Sequence, residues 1–400
     1  MGTDEMQDCL LTINGGSSSI KFAVYRAARE PARLMGGEVE RIGGEDATLV
    51  ASAVGEKPER RPVGAGGHDD AARAIIDWVQ GRLGTAKVVG IGHRIVHGGA
   101  RLVEHQPVTP ELIAELRRTE ELDRVHLPGE IALIETMGEA FGGVSQVACF
   151  DTAFHREMPR VAKLLPIPRQ YEAAGVRRFG FHGLSYTYLM KELRRTAGAT
   201  AAEGRVILAH LGNGASMAAV RGGRPIETTM AFTPTAGLMM GTRPGDLDPG
   251  LLAYLVRVEN LNAEGMEEFI NKRCGLIGVS ETSSDMRDLI ARRGTDIRAA
   301  EAVELFCYSA RKWIGSLAAV MGGLETIVFS GGIGEHSAEV RAEICAGLEF
   351  LGVRIDPSRN AAGAAIISTA DARVDVRVIK TDEEIVIART VCGMLGMMGS

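Results

Sequence analysis

Residues Leu10–Tyr25 read LLTINGGSSSIKFAVY: an apolar strand, a Gly-Gly turn rich in serine, and a second strand carrying Lys21. Two short apolar runs joined by glycines predict a β-hairpin. Val206–Met230, VILAHLGNGASMAAVRGGRPIETTM, repeats the plan as a structural echo rather than a sequence repeat. A third glycine turn closes Thr326–His336, TIVFSGGIGEH. Glycine numbers 50 in 400 residues, roughly twice average usage. Bare backbone N–H groups can converge on an anion where no Cβ intervenes, so such turns suit phosphate. The first turn resembles a Walker A loop in outline, but Ile20 replaces its second glycine and Phe22 its Ser or Thr. Each turn taken alone is ambiguous; three together point to a nucleotide held by two domains.

The length exceeds what one core normally fills, and two domains are expected. Strands alternating with helices make the class α/β. Asp248-Pro249 supplies a helix N-cap and first-turn proline, and Ser337 precedes Val340, Ile344, Leu348 and Leu351 at helical spacing. Residues 42–71 read as a surface hairpin or loop without chemistry. Hydrophobic residues at 45% and charged residues at 24% describe a soluble globular chain. The net charge of −6, without a continuous basic stripe, argues against a nucleic-acid partner. The acidic start lacks a secretory signal, and the apolar run Trp313–Leu324 is too short for a membrane span. Six scattered cysteines show no zinc or disulfide spacing and read as reduced thiols of a cytoplasmic protein.

INGGSSSIK, GHRIVHGG, CFDTAFH, FGFHGLS, HLGNG, FTPTAGLMMGTRPGDLDP, SSDMRDL, SGGIGEH and TDEEIVIAR follow one another along nearly the whole chain. In these blocks the sequence resembles the acetate kinase family. The resemblance implies an actin/sugar-kinase/Hsp70-like (ribonuclease H-like) fold of two domains, with the active site in the interdomain cleft. The domain expectation is 1–150 plus 386–400 for the first and 151–385 for the second. Also implied are ATP or ADP as co-substrate, Mg2+ with Mn2+ as a possible substitute, acetate or acetyl phosphate as the other substrate, and a homodimer. No membrane partner is expected.

Arg94 and Arg243 match the family's active-site arginines, whose planar guanidinium meets a carboxylate or phosphoryl group bidentately. Asp151, where the run Val147–Phe150 meets its loop, matches the catalytic carboxylate. A carboxylate substrate is already ionised near neutral pH, so placing magnesium and the arginines is as good a role for Asp151 as proton abstraction. His182 matches the histidine that donates to the transferred group, and His126 a second active-site histidine. His93 and His97 are read as strand and turn residues too far apart to share a zinc ion. Asn14 and Glu383 correspond to the magnesium site, a sparse ligand set of the kind this ion accepts.

By the same resemblance the nucleotide meets Lys21, His210, Leu211, Gly212, Asn213 and Gly214 at its phosphates. Asp285, Met286, Arg287 and Gly332, Ile333, Gly334, Glu335, His336 lie around the adenosine, with the side chains of Met286 and Leu289 read as core. Arg94, Val96, Val125, His126, Phe181 and Pro234 would form the acyl pocket. The chain departs from the family pattern at Val125 (leucine is common), Ala100 (glutamate), Leu127 (asparagine) and His336 (asparagine). These positions bear on substrate range and affinity rather than reaction type. The expected activity is phosphorylation of acetate by ATP. A propionate kinase, an ATP-driven binding protein of the same superfold and a non-catalytic sensor are the alternatives.

Overall fold

The computed structural model describes residues 8–16, 19–44, 46–64 and 66–397. Ser17 and Ser18 of the first turn, and residues 1–7 on which the export reading rests, lie outside them. The chain divides into two compact units, Met1–Ala153 with Asp382–Ser400, and Phe154–Thr381. Asp151 and Glu383, which the expected boundaries assigned to the second domain, fall in the first unit. The physical reason is packing: Asp151 directly follows a strand of the first unit's sheet, and Glu383 opens a helix that lies on that sheet.

The first unit holds β1 (Asp8–Gly15), β2 (Ser19–Arg26), β3 (Ala32–Glu40), β4 (Thr48–Ala53), β5 (Glu59–Pro62), β6 (Lys87–Ile95), β7 (Gln106–Pro107) and β8 (Ser145–Phe150). They form one sheet in the order β5-β4-β3-β2-β1-β6-β8-β7. β1 to β5 pair as an antiparallel meander, while β1, β6 and β8 run parallel. Side-chain alternation sends Leu11, Ile13 and Ile91 to the face covered by helices His68–Leu83 and Leu127–Ala140, where Phe22 and Trp78 meet edge to face at 5.5 Å. The opposite face receives helix Glu383–Met394. Gly92 makes that approach possible, since a Cβ there would lie 2.2 Å from the Ile387 side chain. Close packing on Gly90 and Gly92 fixes where the helix begins, and so where Glu383 stands.

The second unit holds β9 (Arg205–Leu211), β10 (Ala215–Arg221), β11 (Arg224–Thr228), β12 (Thr326–Ser330) and β13 (Asp375–Val378), ordered β11-β10-β9-β12-β13. An antiparallel meander is again followed by parallel strands. Tyr186, Leu189 and Leu193 of helix Gly183–Glu203 pack on Val206, Leu208, Ala218, Val220 and Val328. Burying side chains of this size contributes about 1.5–3 kcal/mol each.

Several elements differ from their expected form. The third glycine turn is the first turn of a short helix, Gly331–His336. The helix capped by Ser337 ends at Cys345 rather than reaching Leu351. Ala346 turns extended and Gly347 takes φ 82°, a conformation that stops the helix. Residues 42–71 contain the β4–β5 hairpin, and helix His68–Leu83 begins within them. The run from Trp313 belongs to helix Ile297–Met321; among the described residues no helix is long and apolar enough to cross a membrane.

Candidate active site

The polar side chains of the first unit gather at the carboxyl ends of β1, β6 and β8, the edge where open α/β sheets place their ligands. Register brings this about: Ile13 pairs with His93, and Arg94 with Cys149, so Asn14, Arg94 and Asp151 lie at one edge. Arg94 donates from Nε (3.0 Å) and one terminal nitrogen (2.6 Å) to Oδ2 of Asp151, and from the other to the carbonyl of Gly15 (3.2 Å). Asp151 is fully buried. Burial opposes the Arg94 charge, but Asp151, with Glu383 and Glu130 behind it, outweighs burial and holds the guanidinium above its ordinary pKa. The cation is thereby permanent and oriented.

Asn14 donates to Glu383 at 2.9 Å and to Glu384 at 3.4 Å, joining the two ends of the chain. Burial raises the Glu383 pKa, and the negative charge of Asp151 adds to it, while Arg94 opposes. Glu384 is raised by burial and by Glu383. Carboxylates that crowd one another in this way are relieved by a cation. A divalent ion therefore fits the Asn14–Glu383 pair, with the remaining ligands supplied by water and phosphate. Lys21 is exposed on β2, opposite Asn14 on one side and Glu38 on the other.

His126 caps the approach to helix Leu127–Ala140, its Nδ1 2.9 Å from Asp123 Oδ1. Burial works against the Asp123 charge, but His126 outweighs it and the carboxyl sits low. Val96 is buried and its N–H donates to both oxygens of Glu130, at 3.0 and 3.2 Å. Val125 is 43% exposed. Burial pushes His93 down to about 4, leaving a neutral ring against Gln146, and His97 Nδ1 accepts from the Gly99 N–H. Both histidines are engaged in the fold.

In the second unit the corresponding edge is the end of β9 and β12, where Ser330 pairs with His210. His182 precedes helix Gly183–Glu203 in a left-handed conformation, φ 58° and ψ 26°, a strain of about 1–2 kcal/mol for a residue with a side chain. It stacks on His210 with centroids 4.4 Å apart. Gly214 lies beneath Arg243 and His182: a Cβ there would come within 2.7 Å of the guanidinium and 3.4 Å of His182 Nε2. Arg243 also donates to the Pro234 carbonyl at 2.6 Å. Leu211 is buried, Gly212 closes the turn by donating to the Gly214 carbonyl, and the Asn213 carbonyl accepts from Gly241 N–H. His182, His210, Asn213, Gly214, Pro234 and Arg243 thus share one region.

The adenosine candidates are less uniform. Asp285 caps helix Met286–Arg292 and is held low by its hydrogen bonds with Arg287, whose side chain is 90% exposed. Met286 is 3% exposed, so its side chain serves the core and only its backbone is offered to a ligand. Glu335 accepts from Gly331 N–H (2.9 Å), Thr381 N–H (3.1 Å) and Ser330 hydroxyl (3.3 Å), which commits its carboxylate to holding the strand-to-helix turn. Gly332 has open space where a Cβ would stand, Gly334 is buried with its carbonyl bound by Arg341, Ile333 is half-buried, and His336 projects outward.

Residues 9–389 match the profile of the Acetokinase family. The chain belongs to that family. An acetate kinase of Rhodopseudomonas palustris (strain TIE-1) is 44% identical over 392 residues, covering 96% of this chain and 98% of that protein. Among solved structures, Porphyromonas gingivalis acetate kinase superposes with a TM-score of 0.86 at 33% identity, covering 97% of this chain and 100% of that one. A propionate kinase from Francisella tularensis subsp. tularensis SCHU S4 gives 0.90 at 31% identity with the same coverage. The fold is therefore the two-domain α/β, actin/sugar-kinase-like fold of the acetokinases, and the chain is a phosphotransferase with a carboxyl group as acceptor.

Within this acetokinase, four polar side chains escaped the sequence reading: Glu130, Tyr186, Ser216 and Glu384. Glu384 adjoins Glu383, whose position on sequence alone reads as a charge on a solvated helix start. Glu130 is an acid on the buried side of an apolar helix, four residues after His126, and that placement was its one visible signal. Ser216 is an alternate residue of β10 whose partner stands 34 positions earlier, so only strand register reveals it.

Proposed function

We propose that the protein transfers the γ-phosphoryl group of ATP to acetate, reversibly, giving ADP and acetyl phosphate by direct in-line displacement. The observation that carries this reading is the pair of Arg94 with the fully buried Asp151, beside Asn14 and Glu383. A charged, doubly anchored guanidinium at a strand end suits an anionic acceptor and needs no base. An acetate oxygen forms the new bond to phosphorus while the bond to the bridging oxygen of ADP breaks, and its electron pair leaves with ADP. Because the acceptor is already ionised, the task is alignment and charge neutralisation. Arg94 binds the acetate carboxylate, and Asp151 holds Arg94 and contributes charge beside the Asn14–Glu383 pair. Arg243 and Nε2 of His182 donate to the equatorial oxygens, and the Gly212–Gly214 turn with His210 receives the phosphates. Asn14 and Glu383 would hold magnesium, which supplies charge neutralisation on the phosphate oxygens; manganese would substitute.

Val96, Val125, His126, Phe181 and Pro234 are assigned to the acyl pocket. Lys21, Leu211, Asn213, the backbone of Asp285–Arg287 and Gly332–His336 are assigned to the nucleotide. Both clusters are given to one reaction on chemical grounds. Five buried cysteines and one half-buried one support a reducing, cytoplasmic setting. The exposed stripe Leu251, Tyr254 and Val258 on helix Pro249–Val258 supports a homodimer, which sedimentation at micromolar protein would register. Propionate is the second reading, favoured by the superposition on a propionate kinase.

Purified protein incubated with Mg-ATP, acetate and hydroxylamine is expected to yield acetyl hydroxamate in step with ADP. ATP hydrolysis indifferent to acetate, without hydroxamate, would place the chain with the ATP-driven binding proteins instead.

A further inference from the structure

Two stacked imidazoles, His182 and His210, are each gripped through Nδ1 by a serine: Ser216 Oγ at 2.8 Å and Ser185 Oγ at 2.8 Å. Both serines are fully buried. Each is in turn bound by a second hydroxyl, Ser185 by Thr381 at 2.8 Å and Ser216 by the phenol of Tyr186. Nε2 of His182 faces Gly214, and Nε2 of His210 faces Gly212, so both rings point their far nitrogen at the glycine turn. Tyr186 is fully buried, its ring set edge-on to His155 and tilted on Phe154.

The direction of the hydrogen bonds on the His182 side follows from donor and acceptor strength. A phenol is a stronger donor than an aliphatic hydroxyl, and an imidazole nitrogen is a stronger acceptor than either oxygen. The chain therefore runs from Tyr186 to Ser216 to His182 Nδ1, each bond polarising the next. We propose that Tyr186 is a positioning residue which, through Ser216, keeps the single ring proton of His182 on Nε2. This rests on His182 being a donor to the transferred phosphoryl group, and it supplies what that role requires, an Nε2–H turned to the anion. The Arg243 guanidinium lies across Gly214 from the ring, and His210 is stacked against it. The left-handed backbone at His182 holds the ring in this setting.

The test reads tautomer and turnover separately. Nitrogen-15 NMR of histidine-labelled protein, without nucleotide or acceptor, is assigned by the resonance lost in His182→Gln. In the parent, Nδ1 of His182 is expected to be unprotonated and Nε2 protonated. Tyr186→Phe keeps the buried ring and removes only the hydroxyl. It should move both signals toward a tautomer mixture and lower kcat for acyl phosphate about tenfold, with KM nearly unchanged. Ser216→Thr, which retains a hydroxyl, should preserve the parent signals, and Ser216→Ala should lose them. A parent with the proton on Nδ1 overturns the relay, as does a folded Tyr186→Phe with parent-like nitrogen shifts and turnover. Where Tyr186→Phe does not fold, a parent proton on Nδ1 still overturns the relay, and Ser216→Ala against Ser216→Thr still tests its middle hydroxyl. If the protein makes no acyl phosphate, the nitrogen spectra still decide the relay; if it does and the relay fails, the phosphotransfer reading stands.

Discussion

Two carboxylates beside Arg94 divide the work at the scale of single residues. Asp151 accepts two of its hydrogen bonds, so Asp151→Asn keeps the size but gives up the charge that orients the guanidinium. Stopped-time assays of acyl phosphate are expected to find kcat lower by about 10²–10⁴-fold, with the fold intact by circular dichroism. Turnover within a factor of two of the parent would take Asp151 out of the mechanism. Glu130 acts on the backbone instead, holding the Val96 N–H. Burial places its pKa well above the ordinary value, Asp123 and Asp151 adding to the rise and Arg94 opposing it. Below the unfolded value of about 4.3, folded and unfolded chains both hold this proton. As pH climbs above that, the unfolded chain releases it first, so this residue's contribution to stability falls until the folded carboxyl also ionises. Glu130→Gln preserves an acceptor for Val96 and cannot ionise. Its melting temperature relative to the parent should therefore rise between about pH 5 and pH 8. A difference that stays flat or shrinks across that range would show that Glu130 ionisation does not limit stability.

Glycine turns and helix ends are the working parts at the scale of elements. The β9–β10 turn brings Gly214 so close to Arg243 that a methyl group would sit 2.7 Å from the guanidinium. Its backbone is not in the left-handed region, and the atom it meets is the end of a flexible side chain, so Gly214→Ala should fold. Displacing Arg243 by an ångström is expected to lower kcat about 10- to 100-fold. Thermal melting should change by only a few degrees. A loss of turnover matched by a collapse in melting temperature would mean the turn is structural only. These hairpins were legible in the sequence because alternating apolar residues around paired glycines have a local signature. Helix Ala338–Cys345 was overextended because Leu348 and Leu351 keep the helical spacing after the backbone has left it at Ala346. Asn14, Arg94, Asp151 and Glu383 were legible through motif resemblance, and their gathering follows from parallel pairing of β1, β6 and β8, which no local pattern encodes. Glu130 and Ser216 stayed hidden for the same reason: each serves a backbone or ring delivered by another element. Glu335 stands in a ligand motif too, but the three partners of its carboxylate belong to the protein itself, which no local pattern encodes either.

For the molecule as a whole the open choice is the acyl group, since the relatives include both acetate and propionate kinases. The four apolar side chains assigned to the pocket are not equally firm. Val96 is buried and its N–H is tied to Glu130, while Phe181 is buried and its carbonyl lies 2.9 Å from His155 Nε2. Pro234 is pinned through its carbonyl by Arg243, whereas Val125 is 43% exposed and has the least packing to resist displacement. A methylene against firm apolar walls is discriminated by about 1–3 kcal/mol, or roughly 10- to 200-fold. Acetate is therefore expected to exceed propionate in kcat/KM by about tenfold, the low end of that range because one wall is loose, with butyrate lower again. Val96→Ala removes a buried wall and should shift the acetate-to-propionate ratio toward propionate by about tenfold, whereas Val125→Ala should move it by less than about threefold. Steady-state rates with the three acids and Mg-ATP check each part. Equal shifts from the two valines would mean that exposure does not rank the walls, and a parent that prefers propionate would overturn acetate as the substrate while leaving the phosphotransfer chemistry in place.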